Sequence, residues 1–296
     1  MLHDAIVIGG SFAGLSAATY IARGRRTVAI IDTGLPRNRF AAHSHGFLGQ
    51  DGSEPGAILV TARAQVEAYP TVSFISGEAI SVSGARDGFV VKLADGTEVE
   101  GRRIVLAFGV SDSLPDLPGL RERWGNSVIH CPYCHGFEFS GQQLGVLNMH
   151  PRSSHQAQLI SEWGPTTFYL NGGEIADDAR AELEKRGVAI ESRPVTALHG
   201  EGKSLSAIEF ADGSERPIDA LYIGAPTRLN SSIAAELGCA MEEGQVGPFI
   251  RTDGMKMTSV PGVYAAGDIT RAMHNVTFAA SDGVMAGVAV HASLIF

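Results

Sequence analysis

Asp4-Ala5-Ile6-Val7-Ile8-Gly9-Gly10-Ser11-Phe12-Ala13-Gly14 opens the chain and decides its fold. The apolar run from Asp4 to Ile8 reads as a buried strand. It breaks at two glycines, and a helical spacing of apolar residues follows through Leu15, Ala18, Ile21 and Ala22. Thr27 to Ile31 reads as a second buried strand ending at Asp32, eighteen residues past Gly14. This is the start of a βαβ unit carrying the G-x-G-x-x-G dinucleotide fingerprint, with Ser11 in place of the middle glycine. Gly9 and Gly10 allow a tight turn and the close approach of a pyrophosphate. Ser11 is small enough to keep that approach open, and Gly14 lets the helix pack on the strand. Phe12 and Ala13 lie in the first helical turn, whose backbone N–H groups and dipole favour an anion. Asp32 suits a ribose hydroxyl. The plainer reading is a Rossmann turn that binds no nucleotide.

Further along, Phe89 to Leu93 and Glu98 to Leu106 read as strands joined by an Asp95-Gly96 hairpin turn, and the second ends at Ala107-Phe108-Gly109. A proline-bearing connection runs from Ser111 to Gly119. From Gln143 a second βαβ pattern begins, with a strand at Leu144 to Leu147, helical spacing from Ser153 to Trp163 and a strand at Thr166 to Leu170. Leu205 to Phe210 and Ala220 to Ile223 flank an Asp212-Gly213 turn. Gly262 to Asp268 is a short strand ending in Gly267-Asp268, and a small-residue helix from Thr277 to Leu294 closes the chain. The expected fold is α/β, with two Rossmann-like dinucleotide-binding domains, the second inserted in the first. The expected boundaries are 1–112 and 227–296 for a discontinuous FAD-binding domain, and 113–226 for an inserted NAD(P)-type domain.

With 296 residues, 44% hydrophobic and 19% charged, the chain is long enough for two such cores. A formal net charge of −9 argues against nucleic acid or an anionic membrane as the main partner. No uncharged run is long enough to span a bilayer. The apolar N-terminus lacks the cationic stretch of an export signal. Three cysteines, two of them close together, fit the cytoplasm. Cys239 stands alone and reads as a small buried hydrophobe.

The other two form Cys131-Pro132-Tyr133-Cys134, followed by His135-Gly136. Four readings are open: a redox-active pair, a c-type haem attachment, part of a zinc site with His130 or His135, or two inert buried thiols. Haem attachment needs export, and zinc needs further ligands. A dinucleotide fingerprint in the same chain favours the redox pair, with FAD as its electron partner. Gly267-Asp268 reads either as a helix cap or as a second contact to the same dinucleotide.

These residues resemble the low-molecular-weight thioredoxin reductases, within the FAD-dependent pyridine-nucleotide disulfide oxidoreductases. The resemblance spans Gly9 to Gly14, Ala107-Phe108-Gly109, the C-x-x-C and Gly267-Asp268. Cys-Pro-Tyr-Cys-His-Gly-Phe-Glu and the stretch from Asn38-Arg39-Phe40 to Gln50-Asp51-Gly52 are most similar to the flavin-dependent dithiol oxidases, which close disulfides in metabolites such as holomycin and gliotoxin. The resemblance implies a cofactor site of Gly9, Gly10, Ser11, Phe12, Ala13, Gly14, Asp32, Arg39, Gln50, Asp51, Gly109, Gly267, Asp268 and Thr277. It implies that Cys134 lies against the flavin and Cys131 exchanges with substrate. A homodimer is also implied. The thioredoxin reductases carry an acid right after the pair; here His135 stands there and is the expected acid–base group. His130 is a weaker candidate, and His43 and His45 read as structural.

One departure matters. After Leu144 to Leu147 a working nicotinamide site needs glycines, but the chain has Asn148-Met149-His150-Pro151-Arg152-Ser153-Ser154. Pro151 has no N–H to give, and Met149 and His150 are expected to fill the pyrophosphate space. No arginine pair follows the next strand, where Leu170-Asn171-Gly172-Gly173-Glu174 stands. NADPH is therefore a doubtful cofactor. The favoured function is an FAD-dependent thiol–disulfide oxidoreductase working as a dithiol oxidase, with a dithiol or disulfide substrate and dioxygen as partners. A nicotinamide-dependent reductase and a flavin redox sensor remain open.

Overall fold

A computed structural model describes all residues, 1–296. The chain divides into two compact units, 1–39 with 56–112 and 227–296, and 40–55 with 113–226. Residues 40–55, expected in the first unit, group with the second.

In the first unit Ala5–Ile8 is the central strand of a five-stranded parallel sheet. It lies between Ile104–Leu106 and Val28–Asp32, with Val263–Ala265 and Val72–Ser76 at the edges. All four of its residues are buried, as a strand covered on both faces requires. The helix Phe12–Arg23 follows and packs against the helix Val276–Ser293. The small residues of that last helix have a cause. A Cβ on Gly283 would stand 2.1 Å from the Ala13 carbonyl oxygen, and one on Gly287 would stand 2.5 Å from that of Ala17. The helices touch backbone to backbone.

The expected single strand Glu98–Leu106 is two. Glu98–Gly101 joins a second sheet with Leu2–His3, Gly88–Leu93 and Ala79–Ala85, while Ile104–Leu106 joins the parallel one. The break is Arg102-Arg103. Arg103 is buried, and its guanidinium donates to Asp87, to the Ser293 hydroxyl and to the Ser293 carbonyl. The backbone keeps its pairing through the break, with the Arg102 N–H donating to the His3 carbonyl and the Arg103 carbonyl accepting from the Ile6 N–H.

The second unit repeats the plan. Its parallel sheet has the order Val128–Ile129, Ala220–Ile223, Leu144–Leu147, Thr166–Tyr169, Ala189–Glu191. The expected helix is shorter, Ser153–Ile160. The Asp212-Gly213 turn joins Ala207–Phe210 to Glu215–Pro217, which form an antiparallel sheet with Val195–His199. Ala220–Ile223 instead runs in the parallel sheet. Asp212 holds the turn by accepting from the Ser214 N–H and hydroxyl. Cys239, in the first unit, is buried beside Thr258, as its isolation predicts, and burial pushes its thiol up. No helix is long and apolar enough to cross a membrane.

Candidate active site

The N-terminal turn is built for close approach. Gly9 has φ +110°, and a Cβ there would stand 2.2 Å from the Ala107 oxygen. A Cβ on Gly14 would stand 1.8 Å from the Gly9 oxygen. Asp32 accepts from the Gly10 N–H at 2.9 Å through Oδ1, so the expected ribose partner also fastens the turn. Ser11 is extended at the N-cap of Phe12–Arg23, and its own side chain makes no capping bond. Phe12, Ala13 and Gly14 form its first turn. Gly267 meets that turn, since its Cβ would stand 2.9 Å from the Ala13 side chain. This glycine cradle, the helix start and the acid fit a dinucleotide.

Asp268 does not cap the last helix. Asn275 does, accepting from the Thr277 N–H at 2.8 Å. Asp268 starts a short 3-10 turn and pairs with Arg37 at 3.0 Å. The same guanidinium holds Asp112 through Nε at 3.0 Å and Nη2 at 2.5 Å, and it meets His274 Nδ1 at 2.7 Å. Burial works against the Arg37 charge, but its bonds to Asp112 and the two carboxylates outweigh it and raise its pKa. The sequence reading missed Arg37, because its partners lie far along the chain. Arg39, which it did single out, is exposed and donates to the Pro36 carbonyl at 2.8 Å. Gly109 is fixed by Asn230, whose N–H donates to the Gly109 oxygen.

In the second unit Cys131 is the N-cap of a one-turn helix, Pro132–His135. Pro132 at the first helical position needs no N–H partner. The i, i+3 spacing puts both sulfurs on one face, 2.8 Å apart, with Cys134 donating to Cys131. Gly136 lets the next turn close, since a Cβ there would stand 2.5 Å from the Pro132 oxygen and 3.0 Å from Trp163. Trp163 also stacks edge-on with Tyr133, ring centroids 5.7 Å apart.

His135 lies beside His45, with ring centroids 6.1 Å apart and edge-on. Burial lowers the His135 pKa; Glu138 opposes this, and His45 and His43 add to it. His135 is thus neutral near pH 7 and able to take a proton. His45 is anchored between Glu138 at 3.4 Å and Asp51 at 3.7 Å. Asp51 accepts from the Gly46 N–H, and Gln50 turns back through its N–H to Phe47. Gln50 and Asp51 therefore stand in the loop that carries His43 and His45 to the cysteine motif. His130 is exposed, and its ring stands 6.1 Å from Trp124. No local spacing links residues 45 and 135; only the fold does.

The crevice at the carboxyl ends of Leu144–Leu147 and Thr166–Tyr169 is not filled. A cavity of about 430 Å³ remains, lined in part by Met149, His150, Asn171 and Glu174. Its change lies in the donors. Ser153 Oγ accepts from the Met149 N–H at 3.0 Å and the His150 N–H at 3.2 Å, and His150 Nδ1 accepts from the Arg152 N–H at 3.2 Å. Burial, helped by Arg152, lowers the His150 pKa and keeps it an acceptor.

The profile described as pyridine nucleotide-disulphide oxidoreductase matches residues 3–147 and 167–283. The chain belongs to this family. A thioredoxin reductase of Claviceps purpurea, tcpT, is 34% identical over 96% of this chain and 92% of its own. An oxidoreductase of Agrobacterium tumefaciens is 43% identical with a TM-score of 0.95, covering 100% of this chain and 99% of that one. The crystal structure of HlmI is 39% identical with a TM-score of 0.94, covering 99% and 93%. This oxidoreductase is thus a thioredoxin reductase-like disulfide oxidoreductase, and FAD is its cofactor.

Proposed function

We propose that the chain is a dithiol oxidase that turns a substrate dithiol into a disulfide with dioxygen as final oxidant. The observation that carries this is the capture of three loop N–H groups by Ser153 and His150, in a chain that keeps its cysteine pair. A nicotinamide pyrophosphate needs such donors, and each hydrogen bond to a charged group contributes about 1.5–3 kcal/mol. Losing two or three weakens binding by roughly a hundredfold or more. Glu174 on the cavity wall adds like charge against a phosphate.

The chemistry begins at the oxidised pair. One substrate thiolate attacks the Cys131 sulfur, the Cys131–Cys134 bond breaks, and Cys134 leaves as a thiolate. The second substrate thiolate attacks the substrate sulfur of the mixed disulfide, and Cys131 leaves. The substrate disulfide forms, and two electrons rest on the pair. His135, neutral and backed by His45, accepts the substrate's proton. What FAD supplies when bound is a two-electron acceptor, with dioxygen as the eventual oxidant and hydrogen peroxide as its product. Gly9 to Gly14, Asp32, Gly109, Gly267, Asp268 and Thr277 would hold it, with Arg39, Gln50 and Asp51 as further contacts. We take the protein to work in the cytoplasm, in keeping with its few cysteines, and as a homodimer, as the family resemblance implies.

The test is anaerobic mixing with NADPH and, separately, with a small dithiol, followed by the visible absorbance. The expected result is bleaching by the dithiol, recovery in air with one hydrogen peroxide per turnover, and little bleaching by NADPH. Rapid, saturable bleaching at micromolar NADPH overturns the oxidase reading and makes the chain a reductase.

A further inference from the structure

A carboxylate stands in the middle of the closing helix Val276–Ser293, among small residues. Asp282 is 1% exposed. Burying a charge is costly unless it is paired. A helix that only had to pack there would carry alanine, as it does at Ala279 and Ala286. The partners of Asp282 are two cations and one hydroxyl. Lys256 Nζ lies 2.7 Å from Oδ1. The Arg271 guanidinium donates to both carboxylate oxygens, through Nε to Oδ2 at 3.1 Å and through Nη2 to Oδ1. The third partner is Thr270, whose Oγ1 lies 3.0 Å from Oδ2.

Thr270 is buried and ends the 3-10 turn that starts at Asp268. Its N–H donates to the Gly267 carbonyl at 2.9 Å, and its hydroxyl oxygen stands 3.0 Å from that carbonyl. A hydroxyl has one proton to give, and a carboxylate is the stronger acceptor, so the proton goes to Asp282. One residue thereby fastens two parts of the first unit. One is the Gly267 turn, which meets Ala13 in the first turn of Phe12–Arg23; the other is the closing helix. Lys256 ties the same helix to the strand before the turn. Its carbonyl accepts from the Ala265 N–H at 3.0 Å, and its φ of +65° is a conformation that a residue with a side chain adopts at a cost.

We propose that Thr270, held by Asp282, is the positioning residue of the Gly267–Asp268 turn and keeps it in FAD-binding shape before the cofactor arrives. This rests on the reading that Gly267 and Asp268 contact FAD, and it is independent of dioxygen and of the cysteine pair. Neither Thr270 nor Asp282 takes part in electron transfer in this role. The effect is preorganisation. A site whose competent shape is present only part of the time binds its ligand more weakly by that fraction.

The test follows FAD retained by the purified, FAD-loaded protein on serial dilution, read by the fluorescence of released flavin. Thr270→Val keeps the shape and the backbone N–H and deletes the hydroxyl. It should raise the FAD dissociation constant roughly tenfold or more, the effect of one hydrogen bond to a charged group. Thr270→Ser, which restores the hydroxyl, should restore the affinity. Thr258→Val is the control for stability alone: it removes another buried hydroxyl of the same unit, one that donates to the Val263 carbonyl at 2.9 Å. That control should lower the melting temperature and leave FAD affinity unchanged. The proposal is overturned if Thr270→Val loses no more affinity than Thr258→Val, or if Thr270→Ser fails to rescue it. If Thr270→Val does not fold, Thr270→Ala decides by the same criterion. Gly267→Ala separates this from the reading beneath it. Its Cβ would stand 2.9 Å from the Ala13 side chain, so unchanged FAD affinity in that variant overturns the cofactor contact itself.

Discussion

Arg37→Met removes one charge that two carboxylates share. The Arg37 side chain is 18% exposed, Asp112 is 8% exposed and Asp268 is 20% exposed. Methionine keeps much of the length and apolar stem but donates nothing. Breaking a buried ion pair by deleting one partner costs about 3–5 kcal/mol. The partial exposure of Asp268 places the expected loss at the low end, about 3 kcal/mol. For a domain of this size each kcal/mol moves melting by about 2–4 °C, so the first unit should melt roughly 6–12 °C lower. The pH dependence gives a second signature. It comes from His274. Burial holds its pKa down, and Arg37 contributes to that depression, so the variant lets it protonate beside the carboxylates at low pH. The deficit should be largest near pH 8 and shrink toward pH 4.5. Scanning fluorimetry of both proteins across that range, with saturating FAD, reads it. A shift under about 1 °C, or one of equal size at both ends, refutes the reasoning.

His135→Gln should slow dithiol oxidation by roughly a hundredfold or more, the usual range for a lost general base. In the unaltered protein the lowered His135 pKa should hold the rate steady down through pH 6.5, with the fall below it; a fall centred above 6.5 contradicts the burial argument. His135 also favours the folded state above the unfolded pKa, a contribution lost as pH drops toward the folded value. Cys131→Ser and Cys134→Ser should each abolish turnover, and only Cys134→Ser, incubated with the disulfide product, should hold a mixed disulfide, its Cys131 thiolate displacing one product sulfur as a thiol, read as an adduct on Cys131 by mass spectrometry. An adduct on Cys134 in the Cys131→Ser protein would reverse the roles. Gly14→Ala forces a Cβ to within 1.8 Å of the Gly9 oxygen, so the protein should be isolated without yellow colour; normal FAD content would contradict the close-approach reading.

The parts legible in the sequence are those whose cause lies within a few residues. A strand, two glycines, a helix and an acid define the first turn, because each position answers a local demand of the backbone. The strand at Leu144–Leu147 and that at Ala220–Ile223 read off directly, since both are buried apolar runs. The cysteine spacing alone sets two sulfurs on one face of one helical turn. Glu98 to Leu106 misled for the opposite reason. Its apolar pattern suits a strand throughout, and only the distant Ser293 and Asp87 show why Arg103 interrupts it.

Tertiary structure alone decided what surrounds those motifs. His45 and Glu138 meet His135 because the 40–55 segment folds onto the second unit. Arg37 gathers Asp112, Asp268 and His274 from two distant segments. The crevice beyond Leu144–Leu147 was expected to be filled by side chains, yet a cavity remains there while three loop N–H groups are held by Ser153 and His150. Backbone conformation is governed by neighbours in sequence, so a motif can be read in one dimension. Electrostatic and hydrogen-bond partners are chosen by distance in space, and that distance exists only once the chain has folded.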